Sequence, residues 1–132
     1  THEPEPYRVA SGVRGLSNAT LDVPWPKVTR GKRALSTLLN RDAVAPEALF
    51  GLLANTERAP DADLPKTGVG LDWERTLSPI YIASPDYGTR ASTVLLLERD
   101  GGGVLFERTT APEASGEARR FTLRPKPSGA MP

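Results

Sequence analysis

Asn18 and Arg90 are the two side chains whose type and position point to chemistry. Asn18 lies in Gly15-Leu16-Ser17-Asn18-Ala19, at the expected end of a strand, where its amide can hydrogen-bond an oxyanion as charge develops. Arg90 closes the turn Asp86-Tyr87-Gly88-Thr89-Arg90 and opens the most apolar strand. A guanidinium there can hold a carboxylate or depress a neighbour's pKa. Spacing alone supports a plainer account equally well: a turn Asn that caps backbone groups, and an Arg paired with a local acid. Ser17, Tyr87 and Thr89 flank the pair as secondary candidates, together with Trp25 and Lys27.

The other constellations have simpler explanations. Lys27, Arg30, Lys32, Arg33 and Arg41 form a basic stretch with no acid between Asp22 and Asp42, and Trp25 beside it offers a stacking surface for RNA or an anionic ligand. Several of these charges fall on the solvated face of an amphipathic helix, the usual fate of such runs, so nucleic acid is not expected as a partner. Thr1 sets an α-amine beside a hydroxyl, as in N-terminal nucleophiles, but its acidic, proline-containing context reads as a lead-in. Asp100-Gly101-Gly102-Gly103 lacks the helix that a phosphate cradle needs after its glycines, and reads as a hairpin turn. Asn18-Ala19-Thr20 matches a glycosylation acceptor, which matters only in a secreted protein, and no basic-then-apolar leader opens the chain.

Composition narrows the field further. The chain has no Cys and one His, His2, so disulfides, thiolate metal sites, a Cys nucleophile and a multi-histidine metal site are excluded within it. No thiolate or multi-histidine metal site, and so no metal, is therefore expected in this chain. With 17 basic and 16 acidic side chains the net charge is +1, so no global field draws the chain to nucleic acid or membrane. No stretch approaches a membrane span in length, and the composition reads as a soluble, cytoplasmic unit. At 132 residues there is room for one domain. Folded compactly, a chain of 14.2 kDa should expose about 6,800 Å².

Elements that would position the candidates can be read from hydrophobic period. Residues 1–6 and 125–132 carry five of the prolines and read as flexible ends. Val9, Val13, Leu16 and Leu21 suggest one or two short strands within 7–21. Asp22-Val23-Pro24-Trp25-Pro26 is a stiff connector. A helix is predicted over 27–39, with Val28, Gly31, Leu35, Leu38 and Leu39 on one side and Arg30 and Arg33 opposite. A second begins at Pro46-Glu47 and ends near Asn55, and residues 57–70 read as loop. Strands are predicted at 80–83, 91–98, 104–108 and 118–124. Helices followed by strands argue for an α+β fold: one antiparallel sheet of those four strands with both helices on a single face.

The candidate segments also carry a family resemblance. Gly15-Leu16-Ser17-Asn18-Ala19-Thr20-Leu21-Asp22-Val23-Pro24-Trp25-Pro26-Lys27 followed by Gly31-Lys32 resembles the Gly-Leu-Ser-Asn…Pro-Trp-x-Lys…Gly-Lys block of the transport and Golgi organisation 2 family. That family is also called NRDE, after an Asn-Arg-Asp-Glu motif. Tyr87-Gly88-Thr89-Arg90 with Thr93-Val94 resembles its Tyr-Gly-Thr-Arg…Thr block, and Arg119-Arg120-Phe121-Thr122-Leu123 its last strand. Asn40-Arg41-Asp42-Ala43 lies in the wrong block to be the naming motif.

The resemblance implies that residues 1–132 are the C-terminal part of one NRDE-type domain, half of an αββα sandwich similar to N-terminal nucleophile hydrolases. The starting Met-Cys and the naming motif belong to the absent half, so the resemblance implies no catalytic residue in this chain alone. Asn18 and Arg90 then correspond to the Asn and Arg that complete the site in related cysteine amidases. The function implied is binding or trafficking of a small anionic ligand such as haem or an acyl-CoA, in the cytoplasm and in connection with lipid metabolism. The residues themselves name no cofactor; haem enters only through the resemblance. Two alternatives stand beside this: part of an amide or thioester hydrolase whose nucleophile lies in the missing N-terminal half, and a small interaction module without a site. The expected partners are that missing half, or a second copy through self-association. Uncovered apolar surface, an open strand edge, and a part-buried Arg90 with no dedicated carboxylate are expected as consequences.

Overall fold

A computed structural model describes residues 6–41, 44–109 and 118–124. Three helices precede a three-stranded antiparallel sheet, so the chain is α+β. Helix α1 (Pro26–Leu39) and helix α2 (Pro46–Leu53) both start on proline, whose fixed φ suits the first turn and whose missing N–H would have no partner there. The predicted bounds hold to within two residues. Sequence reading overlooks α3 (Leu71–Leu77), a two-turn helix behind Gly70, whose φ of +90° only glycine adopts readily. Arg75 fastens it, pairing with Asp61 of the short turn Asp61–Asp63 and with Asp72.

Strands β1 (Ala91–Leu97), β2 (Gly103–Thr109) and β3 (Arg119–Leu123) lie in the order β1-β2-β3. The predicted glycine turn joins the first two: Gly101 takes a φ of +88°, and the Asp100 carboxylate accepts from the Gly102 N–H at 2.8 Å. Register sets Val94 opposite Phe106 and Leu95 opposite Leu105, with Leu105 opposite Phe121. Side chains alternate across a strand, so Val94 and Phe106 share one face with Arg108, and Leu95, Leu97, Leu105, Phe121 and Leu123 share the other. Helix α2 packs on β1, and α1 packs on α2. Arg108 secures this contact, stacking 4.3 Å from the Phe50 ring centre and donating to both Glu47 carboxylate oxygens. The buried apolar side chains are Val28, Phe50, Ala59, Leu64 and Val94. The opposite face is open, with Leu97 67% and Phe121 50% exposed.

Two expected strands are absent. Residues 80–83 make only a single bridge, Ala83 to Gly88. The backbone of Ile82 is used locally, since its carbonyl accepts from the Thr89 N–H at 2.8 Å and its N–H donates to Thr89 Oγ1 at 2.9 Å. Those groups are no longer free to extend the sheet. The segment 7–21 forms no strand because it folds back on itself at Gly15 and Asp22. The ends read as flexible, Pro6 excepted at residues 1–6, lie outside the described residues, as do Thr1, His2 and Asp42-Ala43.

Candidate functional site

Asn18 rides on a loop that Asp22 ties shut. The Gly15 N–H donates to the Asp22 carboxylate at 2.9 Å, and the Asp22 N–H donates to the Gly15 carbonyl at 2.7 Å. Asp22 takes a φ of +61°, a left-handed conformation that costs a side-chain-bearing residue about 1–2 kcal/mol and persists only when its surroundings demand it. Its carboxylate also receives Lys32 Nζ at 2.6 Å, from α1, and Arg14 at 3.0 Å. The Lys32 ammonium, the Gly15 N–H and Arg14 together hold the Asp22 carboxyl far below the usual carboxylate range. A depressed folded-state pKa stabilises the fold above the unfolded value of about 4, and that stabilisation fades as pH falls below it. Asp22→Asn should therefore be less stable than the parent at neutral pH, with the gap closing in acid. Urea midpoints measured at both pH values check this; a constant gap would remove the clamp.

The loop's tip lines two adjoining cavities. The larger, of about 710 Å³, is walled by Leu35 and Leu39 of α1, Leu49, Leu52 and Leu53 of α2, Ile80, Ile82 and the middle of β1. Ser17, Asn18 and Lys27 supply its polar rim with Arg14 and Lys32. Ser17 Oγ is buried there without a hydrogen-bond partner among the described residues. The smaller cavity, of about 310 Å³, is bordered by Asn18, Trp25, Lys27, Thr67, Glu74 and Tyr87. Asn18, Lys27 and Ile82 belong to both.

Lys27 is the most unusual cation of the chain. It stands in the first turn of α1, where no acid balances it, although the positive end of a helix disfavours a cation. Its Nζ donates to the Leu77 carbonyl at 3.1 Å and lies 5.8 Å from the centre of the Trp25 ring. No carboxylate among the described residues pairs with it, and burial pushes its pKa below the ordinary value. The rest of the basic stretch scatters: Arg30 binds Glu57, Lys32 binds Asp22, and Arg33 and Arg41 are exposed.

The structure thus gathers Ser17, Asn18, Trp25, Lys27 and Tyr87 around these cavities. Arg90 lines neither. It is exposed rather than part-buried, so no desolvation penalty argues for a ligand at that position. Nor does it pair with Asp86 or Glu98. Thr89 is engaged in the Ile82 turn, and Tyr87 packs edge-on to Trp73 at 5.8 Å. Sequence reading missed Asp22 as the loop clamp and Glu74 altogether. The available signal for the first was a lone acid at the edge of a basic run; α3 concealed the second.

Comparison with known proteins follows the same segments. The family model described as Transport and Golgi organisation 2 matches residues 1–112. Over 115 residues the chain is 36% identical to a Transport and Golgi organization protein 2 homolog of Bos taurus and 31% identical to one of Homo sapiens. Each match covers 81% of this chain and 42% of the relative. The chain thus spans less than half the length of these curated relatives. Among the described residues no helix is long and apolar enough to cross a membrane.

Proposed function

The chain belongs to the Transport and Golgi organisation 2 family, and on that premise we propose that it is the C-terminal part of one NRDE-type domain that binds and carries an amphipathic anion in the cytoplasm. The observation that carries the reading is the larger cavity: an apolar chamber of about 710 Å³ whose rim holds Lys27 without a countercharge. Apolar walls with a few converging polar groups are the usual make-up of a small-molecule site. The tail of the ligand enters among the leucines of α1 and α2, and its anionic head meets Lys27 and the Asn18 amide.

An acyl chain suits this chamber better than haem. Haem iron is usually held by His, Cys, Met or Tyr, and the described lining contains none of these. An acyl-CoA requires only apolar walls and a cationic rim.

The remainder of the protein, in this reading, covers the open face of the sheet and the edge of β1 that no described strand pairs with. Exposed Leu95, Leu97, Phe121 and Leu123 form a contiguous apolar patch of the sort that marks an interface.

Binding of a long-chain acyl-CoA to the full-length protein tests the proposal, with haem and a neutral acyl ester as comparisons. Lys27→Met should weaken acyl-CoA binding by about tenfold, roughly 1.4 kcal/mol, while Arg30→Ala, tied to Glu57 away from both cavities, changes little. Equal affinity for the neutral ester, or no response to Lys27→Met, would sink the reading.

A further inference from the structure

We propose that the smaller cavity is a binding site for a small zwitterion, one carrying an ammonium group and an anionic oxygen a few bonds apart. Its lining holds two opposite charges, Lys27 and Glu74, that do not pair with each other or with any counterion among the described residues. Glu74 is 7% exposed. Thr67 donates to its Oε1 twice, from N–H at 2.7 Å and Oγ1 at 2.6 Å, while Oε2 receives no donor from the described residues. Lys27 is half-buried and Glu74 Oε2 is left open to the cavity, and partly desolvated charges of this kind gain from a counterion.

The two charges border one cavity without forming an ion pair. Lys27 is anchored at the Leu77 carbonyl, three residues beyond Glu74 on the same helix α3. A ligand oxyanion at Lys27 and a ligand ammonium at Glu74 Oε2 would neutralise both in one step. Aromatic rings complete the match. Trp25 and Tyr87 border the cavity, Trp73 buttresses Tyr87 edge-on, and ring faces attract ammonium groups. At about 310 Å³ the space lies at the small end of ligand sites, right for a head group or a free amino acid derivative and too small for a nucleotide with its tail. This inference goes beyond the reading of the larger cavity; the two share Lys27 and differ at Glu74, which borders the smaller cavity alone.

Calorimetry on the full-length protein with phosphoethanolamine, inorganic phosphate and ethanolamine tests it. Phosphoethanolamine should bind at least about tenfold more tightly than either half-ligand. Glu74→Gln should erase its advantage over phosphate, whereas Lys27→Met should erase its advantage over ethanolamine. Competition by phosphatidylethanolamine vesicles would assign the head group to a lipid; competition by free phosphoethanolamine alone would assign it to a soluble molecule. If Glu74→Gln fails to fold, the parent protein's preference among the three probes still decides. Equal binding of phosphate and phosphoethanolamine, or binding of neither, overturns the proposal. Acyl-CoA binding would be untouched by Glu74→Gln, so loss of this site and loss of the larger one remain distinguishable.

Discussion

Phe50→Ala should lower the unfolding free energy by about 3–5 kcal/mol, the usual loss when a buried aromatic is truncated and its space stays empty. Phe50 is 2% exposed and is the deepest large side chain of the described core. It joins two layers at once: its own helix α2 supplies the leucine wall of the larger cavity, and its ring carries the Arg108 guanidinium of β2. Truncation removes the apolar area and the surface on which Arg108 rests. The Glu47 pair is three-quarters exposed on the acid side and cannot replace that contact, since surface pairs contribute about 0–1 kcal/mol. Urea unfolding followed by circular dichroism measures the loss, and Phe50→Leu should recover much of it. A deficit under about 1 kcal/mol would mean that α2 is not held to the sheet through this residue.

Gly15→Ala should cost about 1–3 kcal/mol, the range for forcing extra volume into a packed position. A Cβ on Gly15 would stand 2.7 Å from Val28 Cγ1, and Val28 is itself buried in the first turn of α1. The loop must then lift from the helix. That strains the Gly15–Asp22 bonds and moves Ser17 and Asn18 away from the cavity rim, so acyl-CoA affinity should fall along with stability. Gly31 provides the contrast. Its added Cβ would meet Ile80 Cδ1 at 3.6 Å, an ordinary contact, so Gly31→Ala should stabilise α1 by roughly 0.5–1 kcal/mol through helix propensity alone. Thermal melts of the two variants should move in opposite directions. Movement in the same direction would contradict the close approach of the loop to Val28.

The helices and the hairpin were legible because their signals are local. Proline at the first helical position, leucines at helical spacing in α1, and a three-glycine turn between apolar runs depend on residues within a few positions of one another. Helix α3 escaped because Leu71, Trp73 and Leu77 make a weak two-turn pattern behind a glycine-rich entry, and much of its anchoring comes from Asp61, outside the helix. The supposed strand at 80–83 looked right by alternation, yet Thr89 captured the backbone of Ile82 on both sides.

The candidate site divides along the same line. Sequence alone determined that this chain has no Cys, no cluster of histidines and no excess charge, and it singled out the Ser17-Asn18 segment with Trp25, Lys27 and Tyr87. Only the tertiary structure decided which of the basic residues turns inward. Lys27 and Arg30 are three positions apart on one helix, yet one meets the end of α3 fifty residues away and the other meets Glu57. It also placed Arg90 outside both cavities and brought Glu74 and Lys27 to the border of one cavity. Periodicity reports which face of an element is apolar, because that depends on the element's own residues. The partner of a charge depends on which distant segment packs against it, and that is set by the burial of the whole chain.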